Sequence, residues 1–400
     1  MLFVIIFYTV ISLANSNHCE MYINHTIVRV IPTQYSQVKF LEDLFDRFDD
    51  RPDEVDFWSY STHLKQPTDM LMSQAAAAIL IPELNSKNIC HTETALTNQK
   101  CLTRGNEGDS SYSRDLLRIS RNTETYFRSF NFNKFHSYAT IKNLLKSVEQ
   151  NFPQISKMFA LPYATANRNL MYGIQIGKRD TETQDVSSSS KQQRPAIVID
   201  AGIHAREWIA PATALYAIKL LLEGYGTNSE IRKYINAMDF YILPVVNPDG
   251  YEHSRYYNRY WRKNRNINGR SGHRHPLCVG VDLNRNFDFF FGALGSSWNR
   301  CSNFYKGTEP FSEAETRNVR ALFDRIGRQK IKGYFALHSY SQLFAYPFGN
   351  IRNNPSSDAR ELISLSGQFS VNLRNVDSLF ENIIFSISQF NFSTEVIATF

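Results

Sequence analysis

The order of apolar segments predicts an α/β fold, with a mixed, largely parallel sheet flanked by helices and preceded by a small α+β unit. Three observations lead there. In the second half of the chain, strand-like runs alternate with helical ones at intervals that suit parallel crossover units. Two of those runs, 197–199 and 333–338, read as buried strands with a histidine at or just beyond the end, which puts chemistry at strand carboxyl ends as open α/β sheets do. The chain's 400 residues, 42% hydrophobic and 14% aromatic, suit two domains with ordinary cores.

The elements follow in order. Residues 2–14 are apolar but too short to span a bilayer, and small residues suited to signal-peptidase cleavage near Ser16 follow them. A secreted, extracellular protein with a signal peptide over 1–16 is therefore expected; a membrane anchor is the alternative. Residues 17–104 read as the small α+β unit. Thr26 to Ile31 alternates as a strand. Gln37 to Phe48 carries Phe40, Leu41, Leu44, Phe45 and Phe48 at helical spacing, Asp56 to Tyr60 is strand-like, and Asp69 to Leu80 is helical. Residues 105–125 are polar and carry Arg114, Arg118 and Arg121. Such an exposed linker is where a trypsin-like protease can nick a chain without breaking a core, with Arg121 the expected point.

The second domain occupies 126–400. It predicts a helix over Thr140 to Asn151, a strand over Leu170 to Ile176, a Ser-rich loop over 181–193 and the central strand around Ile197, Val198 and Ile199. Pro211 opens a helix that stops at Gly224 and Gly226. Phe240 to Val246 is another strand, closed by a turn at Asn247-Pro-Asp-Gly. Ser312-Glu-Ala-Glu315 reads as a capping box before Val319, Leu322, Phe323 and Ile326. A helix over Asp358 to Arg374 comes last. The net charge of +6 is scattered, which excludes nucleic-acid and membrane-surface binding as leading functions. Five cysteines fit an oxidising compartment. Cys90 and Cys101 are available to each other, leaving Cys19 odd, and Asn24 and Asn391 begin possible glycosylation tripeptides.

The chemistry gathers at His204, Arg206 and Glu207, just past the central strand. An imidazole and a carboxylate three residues apart converge on one ion from a rigid base, and Zn²⁺ is the metal whose catalytic sites favour two His and one Glu. Alone, His-x-x-Glu is weak evidence. His338, at the end of the other buried strand, supplies a third ligand, and three ligands leave a fourth position open, as in a catalytic site. His273 and His275 sit in an apparent insertion and read as a solvated loop.

The chain resembles the zinc carboxypeptidases of the pancreatic A/B type. The match lies in Gly-Ile-His204-Ala-Arg-Glu207-Trp-Ile, Val-Asn247-Pro-Asp-Gly, Tyr-Trp-Arg262-Lys-Asn-Arg, Cys278-Val-Gly-Val-Asp-Leu-Asn284-Arg285-Asn-Phe and Leu-His338-Ser-Tyr340-Ser-Gln, in the family's order, from about residue 26 to about 375. The resemblance implies an α+β activation domain at the N-terminus, one Zn²⁺ on His204, Glu207 and His338, and Arg262 polarising the carbonyl of the scissile bond. It further implies Asn284 and Arg285 binding the terminal carboxylate, Arg206, Ser339 and Tyr340 lining neighbouring subsites, and a disulfide between Cys278 and Cys301. The implied protein is a zymogen whose partners are an activating trypsin-like protease and the C-termini of peptides and proteins.

Beyond residue 375 the resemblance is not followed. The family's general-base Glu and specificity-pocket residues are not placed; Phe392-Ser-Thr-Glu395-Val echoes the base-bearing strand only faintly. The chain therefore reads as truncated at its C-terminus, with unpaired edges expected in the sheet. A non-catalytic zinc- and peptide-binding relative is the alternative, and A-type or B-type preference is left open.

Overall fold

The computed structural model describes residues 24–59, 64–95, 123–178, 194–267, 278–293, 295–340, 343–348, 356–374 and 384–388. The expectations for the 1–16 segment, Cys19, Cys101, the 105–121 stretch, the 181–193 loop, His273, His275, Asn391 and Glu395 fall outside those residues.

The N-terminal unit contains β1 (Thr26–Val30), α1 (Tyr35–Phe48), β2 (Val55–Ser59), β3 (Thr68–Met72), α2 (Gln74–Ser86) and β4 (His91–Ala95). Its sheet runs β2-β3-β1-β4, all neighbours antiparallel. Helix α1 buries Leu41, Leu44, Phe45 and Phe48 of the stripe its spacing predicts, together with Val38, against Val28, Val30, Met70 and Met72 of the sheet, while Phe40 is only partly buried. The stretch from Asp69 corrects the sequence reading. Thr68–Met72 is a buried strand at the middle of the sheet, and the helix begins only at Gln74, capped by the Ser73 hydroxyl, which accepts from the Ala76 amide at 3.2 Å. An apolar run buried on every side cannot be assigned by period alone.

The second domain contains α3 (Thr123–Ser129), α4 (Tyr138–Asn151), β5 (Ser156–Ala160), β6 (Tyr172–Ile176), β7 (Ala196–Ala201), α5 (Ile209–Thr227), α6 (Ser229–Ala237), β8 (Asp239–Leu243), α7 (Pro248–Tyr256), α8 (Ala314–Ile326), β9 (Ile331–His338), β10 (Leu343–Ala345), α9 (Ala359–Arg374) and β11 (Ile384–Ser388). These strands form one mixed sheet, β10-β11-β9-β7-β8-β6-β5. Its centre is parallel, β7 lying between β9 and β8, and β6 and β5 add antiparallel pairs on one side. Separate apolar clusters cover the two faces. One joins Ile141, Leu144, Leu145 and Val148 of α4 to Ile199 and Leu215; the other joins Val198 to Leu322, Phe323 and Tyr334. Each of the α4 side chains is at most 1% exposed, and burying one such group contributes about 1.5–3 kcal/mol.

Several local expectations change. Asn247-Pro-Asp-Gly starts helix α7 instead of closing a turn: Asn247 is its N-cap and Pro248 its first residue, where a missing N–H costs nothing. Helix α5 continues through Gly224 to Thr227. At α8 the N-cap is Glu313 without a side-chain cap bond, so Ser312-Glu-Ala-Glu315 is not a capping box. Strand β11 pairs antiparallel with β9, Ile384 opposite His338, and parallel with β10, so the far side of β9 is occupied rather than bare. Among the described residues no helix is long and apolar enough to cross a membrane.

Candidate metal centre and its cover

The parallel register of β7 with β9 sets Ala201 beside Leu337, so both chains leave the sheet at the same level. Beyond Ala201 comes Gly202, with φ +66°, where an added Cβ would meet Pro211 Cγ at 3.0 Å. That left-handed residue turns the chain abruptly enough to bring His204 and Glu207 over the strand end. The turn is pinned on both sides. The Ala205 amide donates to the Arg262 carbonyl at 3.0 Å, and the Asn247 amide donates to the Gly202 carbonyl at 3.1 Å. Asn247 Nδ2 also donates to the carbonyls of Ile203 and Lys263, both at 3.1 Å.

His204, Glu207 and His338 are buried, and one donor atom from each lies within 4.8 Å of the others. His204 Nδ1 is 2.7 Å from Glu207 Oε1, and His338 Nδ1 is 3.0 Å from Glu207 Oε2 and 3.2 Å from His204 Nδ1. The two Nδ1 atoms thus face one carboxylate across a gap of single-ion size. Imidazole nitrogens and a carboxylate suit Zn²⁺, so the residues present fit that metal. Burial alone would raise the Glu207 carboxyl, but the imidazoles of His204 and His338 hold it well below the usual carboxylate range.

Asp282, absent from the residues singled out by sequence, ties the centre together. Its Oδ1 is 3.2 Å from His204 Nε2, and its Oδ2 accepts from Arg262 Nε at 3.1 Å and Nη2 at 2.9 Å. The side chain is fully buried; burial opposes its charge, while the Arg262 guanidinium and the His204 imidazole hold its carboxyl far below its ordinary value. A carboxylate on the far nitrogen of a ligating imidazole fixes the tautomer and orients the ring. The available signal was position: Asp282 lies inside the Val-Asp-Leu-Asn block, two residues before Asn284.

Arg262 brings Nη1 to 4.0 Å from Glu207 Oε1, beside the His204–Glu207–His338 cluster. Arg285 is held by the Gly295 carbonyl, accepting from Nε at 2.7 Å, and by the Asn284 carbonyl, accepting from Nη1 at 3.1 Å. Asn284 is buried next to it. Cys278 and Cys301 are disulfide-bonded, which closes the loop carrying Asp282, Asn284 and Arg285. Cys90 is exposed and bonded to no described cysteine. The Ser339 amide donates to Glu207 Oε2 at 3.2 Å.

Two comparisons by sequence identify the family. The zinc carboxypeptidase model matches residues 141–395, and the carboxypeptidase activation peptide model matches 28–94. The chain belongs to the zinc carboxypeptidase family. The match reaches residue 395, past the point near 375 where the resemblance read from the sequence stops. Carboxypeptidase A2 of Mus musculus is 32% identical over 332 residues, 82% of this chain and 72% of the relative. Carboxypeptidase B of Helicoverpa zea is 31% identical over 316 residues, 79% of this chain and 67% of the relative. The crystal structure of the carboxypeptidase A from Helicoverpa armigera superposes with a TM-score of 0.70 at 25% identity, covering 91% of this chain and 81% of that one.

In this zinc carboxypeptidase the N-terminal unit is an activation peptide, and it sits on the metal centre. Asp56 Oδ2 accepts from Arg206 Nη1 at 2.7 Å, and Asp56 Oδ1 accepts from Asn303 Nδ2 at 2.7 Å. Asp69 Oδ2 accepts from the Tyr340 hydroxyl at 2.5 Å, and Asp49 accepts from Ser297. Phe304 of the second domain packs into the activation peptide's own apolar cluster, edge-on to Phe45 at 5.3 Å. Two of the residues expected to contact substrate, Arg206 and Tyr340, are thus engaged by carboxylates of the cover.

Proposed function

We propose that this protein is a secreted carboxypeptidase zymogen which, once cut in the 105–125 segment, removes the last residue from peptides and proteins. The observation that carries this reading is the convergence of His204, Glu207 and His338 within 4.8 Å of one another, with the Arg262 guanidinium beside Glu207. His204, Glu207 and His338 would hold zinc, which when bound would supply Lewis acidity for activating water. Arg262 cannot lose its proton, and its fixed fork is oriented by Asp282, so it stabilises negative charge developing on the carbonyl oxygen of the scissile bond. Arg285 and Asn284 take the terminal carboxylate, the group that distinguishes the end of a chain from its middle. Ser339 and Tyr340, with Arg206, border the residues upstream.

Latency follows from the same contacts. With Asp56 on Arg206 and Asp69 on Tyr340, a substrate has to displace two buried carboxylates from their donors. A trypsin-like protease acting in the linker removes the tether that keeps those carboxylates seated.

The test is hydrolysis of peptides ending in Phe or Arg by the zinc-loaded protein, before and after trypsin. Release of the terminal residue only after trypsin is the expected result. A folded, zinc-loaded and cleaved protein that binds both peptides and cuts neither would instead establish a non-catalytic peptide-binding relative.

A further inference from the structure

Arg285 takes its direction from a loop that closes on a lysine. The arginine ends a short 3-10 turn, Leu283–Arg285, and its Nε donates to the Gly295 carbonyl at 2.7 Å. The Asn284 carbonyl, which also accepts from Arg285, belongs to the preceding residue and cannot by itself fix where the fork points. Gly295 stands in the chain between Phe291 and Trp298. Both of those rings turn to one side chain: Lys306 Nζ lies 3.8 Å from the Phe291 centroid and 3.1 Å from the Trp298 centroid. The lysine stem runs along Gly292, where an added Cβ would meet Lys306 Cε at 3.2 Å and Trp298 Cζ2 at 3.6 Å.

Lys306 is 0% exposed, and its Nζ has no hydrogen-bond partner among the described residues. An ammonium kept from water without an acceptor is costly unless something replaces its hydration, and here two aromatic faces do so. Trp298 is itself 74% exposed, so burial does not hold its ring; the cation beside it does. The Lys306 backbone is tied on both sides. Its amide donates to the Ser297 carbonyl at 3.2 Å, and its carbonyl accepts from Asn286 Nδ2 at 2.8 Å. Asn286 follows Arg285 directly, so the lysine joins the segment that carries the guanidinium to the loop that carries its acceptor.

We propose that Lys306 is a positioning residue for the terminal carboxylate: its ammonium, clasped between Phe291 and Trp298, closes the loop whose Gly295 carbonyl aims the Arg285 guanidinium. The inference rests on the carboxypeptidase reading above and adds to it a residue that acts on substrate only through Arg285. The charge is what matters, because a neutral side chain of the same length fills the same space without drawing in either ring.

The experiment uses the full chain, zinc-loaded and nicked by trypsin, with the better cut of two N-acylated dipeptides ending in Phe or Arg. Lys306→Met keeps the stem and removes the charge. KM rises roughly five- to thirtyfold, the worth of a desolvated cation–π contact, while kcat stays within about twofold. Lys306→Arg keeps the cation and holds KM within about threefold of the wild-type value. Trp298→Leu, at an exposed position, raises KM in the same way and replaces Lys306→Met if that variant does not fold. A wild-type KM in Lys306→Met, a loss that falls on kcat instead, or an arginine variant as impaired as the methionine one overturns the proposal. If the wild-type protein cuts neither peptide, the carboxypeptidase reading has failed, and calorimetry with the same peptides and their C-terminal amides decides the clasp. A wild-type preference for the free carboxylate that Lys306→Met loses upholds it; no preference, or the same preference in both proteins, overturns it.

Discussion

Asp282 bears on both the metal and the oxyanion, because one buried carboxylate holds the His204 ring with one oxygen and the Arg262 fork with the other. Asp282→Asn keeps the size and loses the charge, so zinc affinity should drop about 10- to 100-fold, read by equilibrium competition with a chelator. An unchanged affinity would mean that His204 is oriented by other contacts. A second buried carboxyl works through stability. Glu315 is 1% exposed and accepts from Asn264 Nδ2 at 3.2 Å. Burial first and the neighbouring Glu313 next push its carboxyl from 4.5 up to about 8. The folded form therefore holds a proton that the unfolded chain gives up, and stability present below about pH 4.5 is lost as pH rises towards 8, by on the order of a few kcal/mol. Glu315→Gln should flatten the urea midpoint across that window; an equally steep fall in the variant would place its origin elsewhere.

At the scale of elements, ligand placement depends on β7 and β9 leaving the sheet together and on the start of α7. Asn247 caps α7 through the Gly250 amide at 2.9 Å and also holds the carbonyls of Ile203 and Lys263, which flank the ligand turn and Arg262. Asn247→Ala removes all three bonds and should cost about 2 kcal/mol or more in denaturant unfolding, whereas a loss of a few tenths would show that the cap is redundant. Both ligand-bearing strands were legible as short β-branched or apolar runs ending at histidines, because buried parallel strands carry no alternation to confuse. The helix α4 stripe was equally plain. Strand β3 was not, since Asp69-Met-Leu-Met is buried along its length and flows into the alanine-rich α2. The start of α7 was hidden for another reason: Asn-Pro-Asp-Gly suits a turn and a capped helix equally well, and only the tertiary bonds of Asn247 decide between them. Asp282 offered no signal beyond its place in the Val-Asp-Leu-Asn block, as its role exists only once residues far apart in the chain meet.

For the molecule as a whole, the activation peptide acts as a cover whose carboxylates reach residues bordering the metal centre. The Asp56–Arg206 pair is largely buried, with side chains 5% and 10% exposed, so truncating one partner leaves the other charge uncompensated. Asp56→Ala should raise peptide hydrolysis before trypsin treatment at least about tenfold relative to the wild-type zymogen, with little change after full cleavage. Equal latency in the two proteins would assign the cover to its apolar contacts, Trp58 and Phe304 with Phe45. The proposed reaction depends on one ion that two strand-end histidines and the glutamate between them are placed to hold. The most direct measurement is the zinc content of the purified, folded full chain by elemental analysis, alongside His338→Ala. One zinc per wild-type chain and a near-complete loss in the variant, with the fold retained by circular dichroism, is the expected result; a full zinc complement in the folded variant would rule out His338 as a ligand.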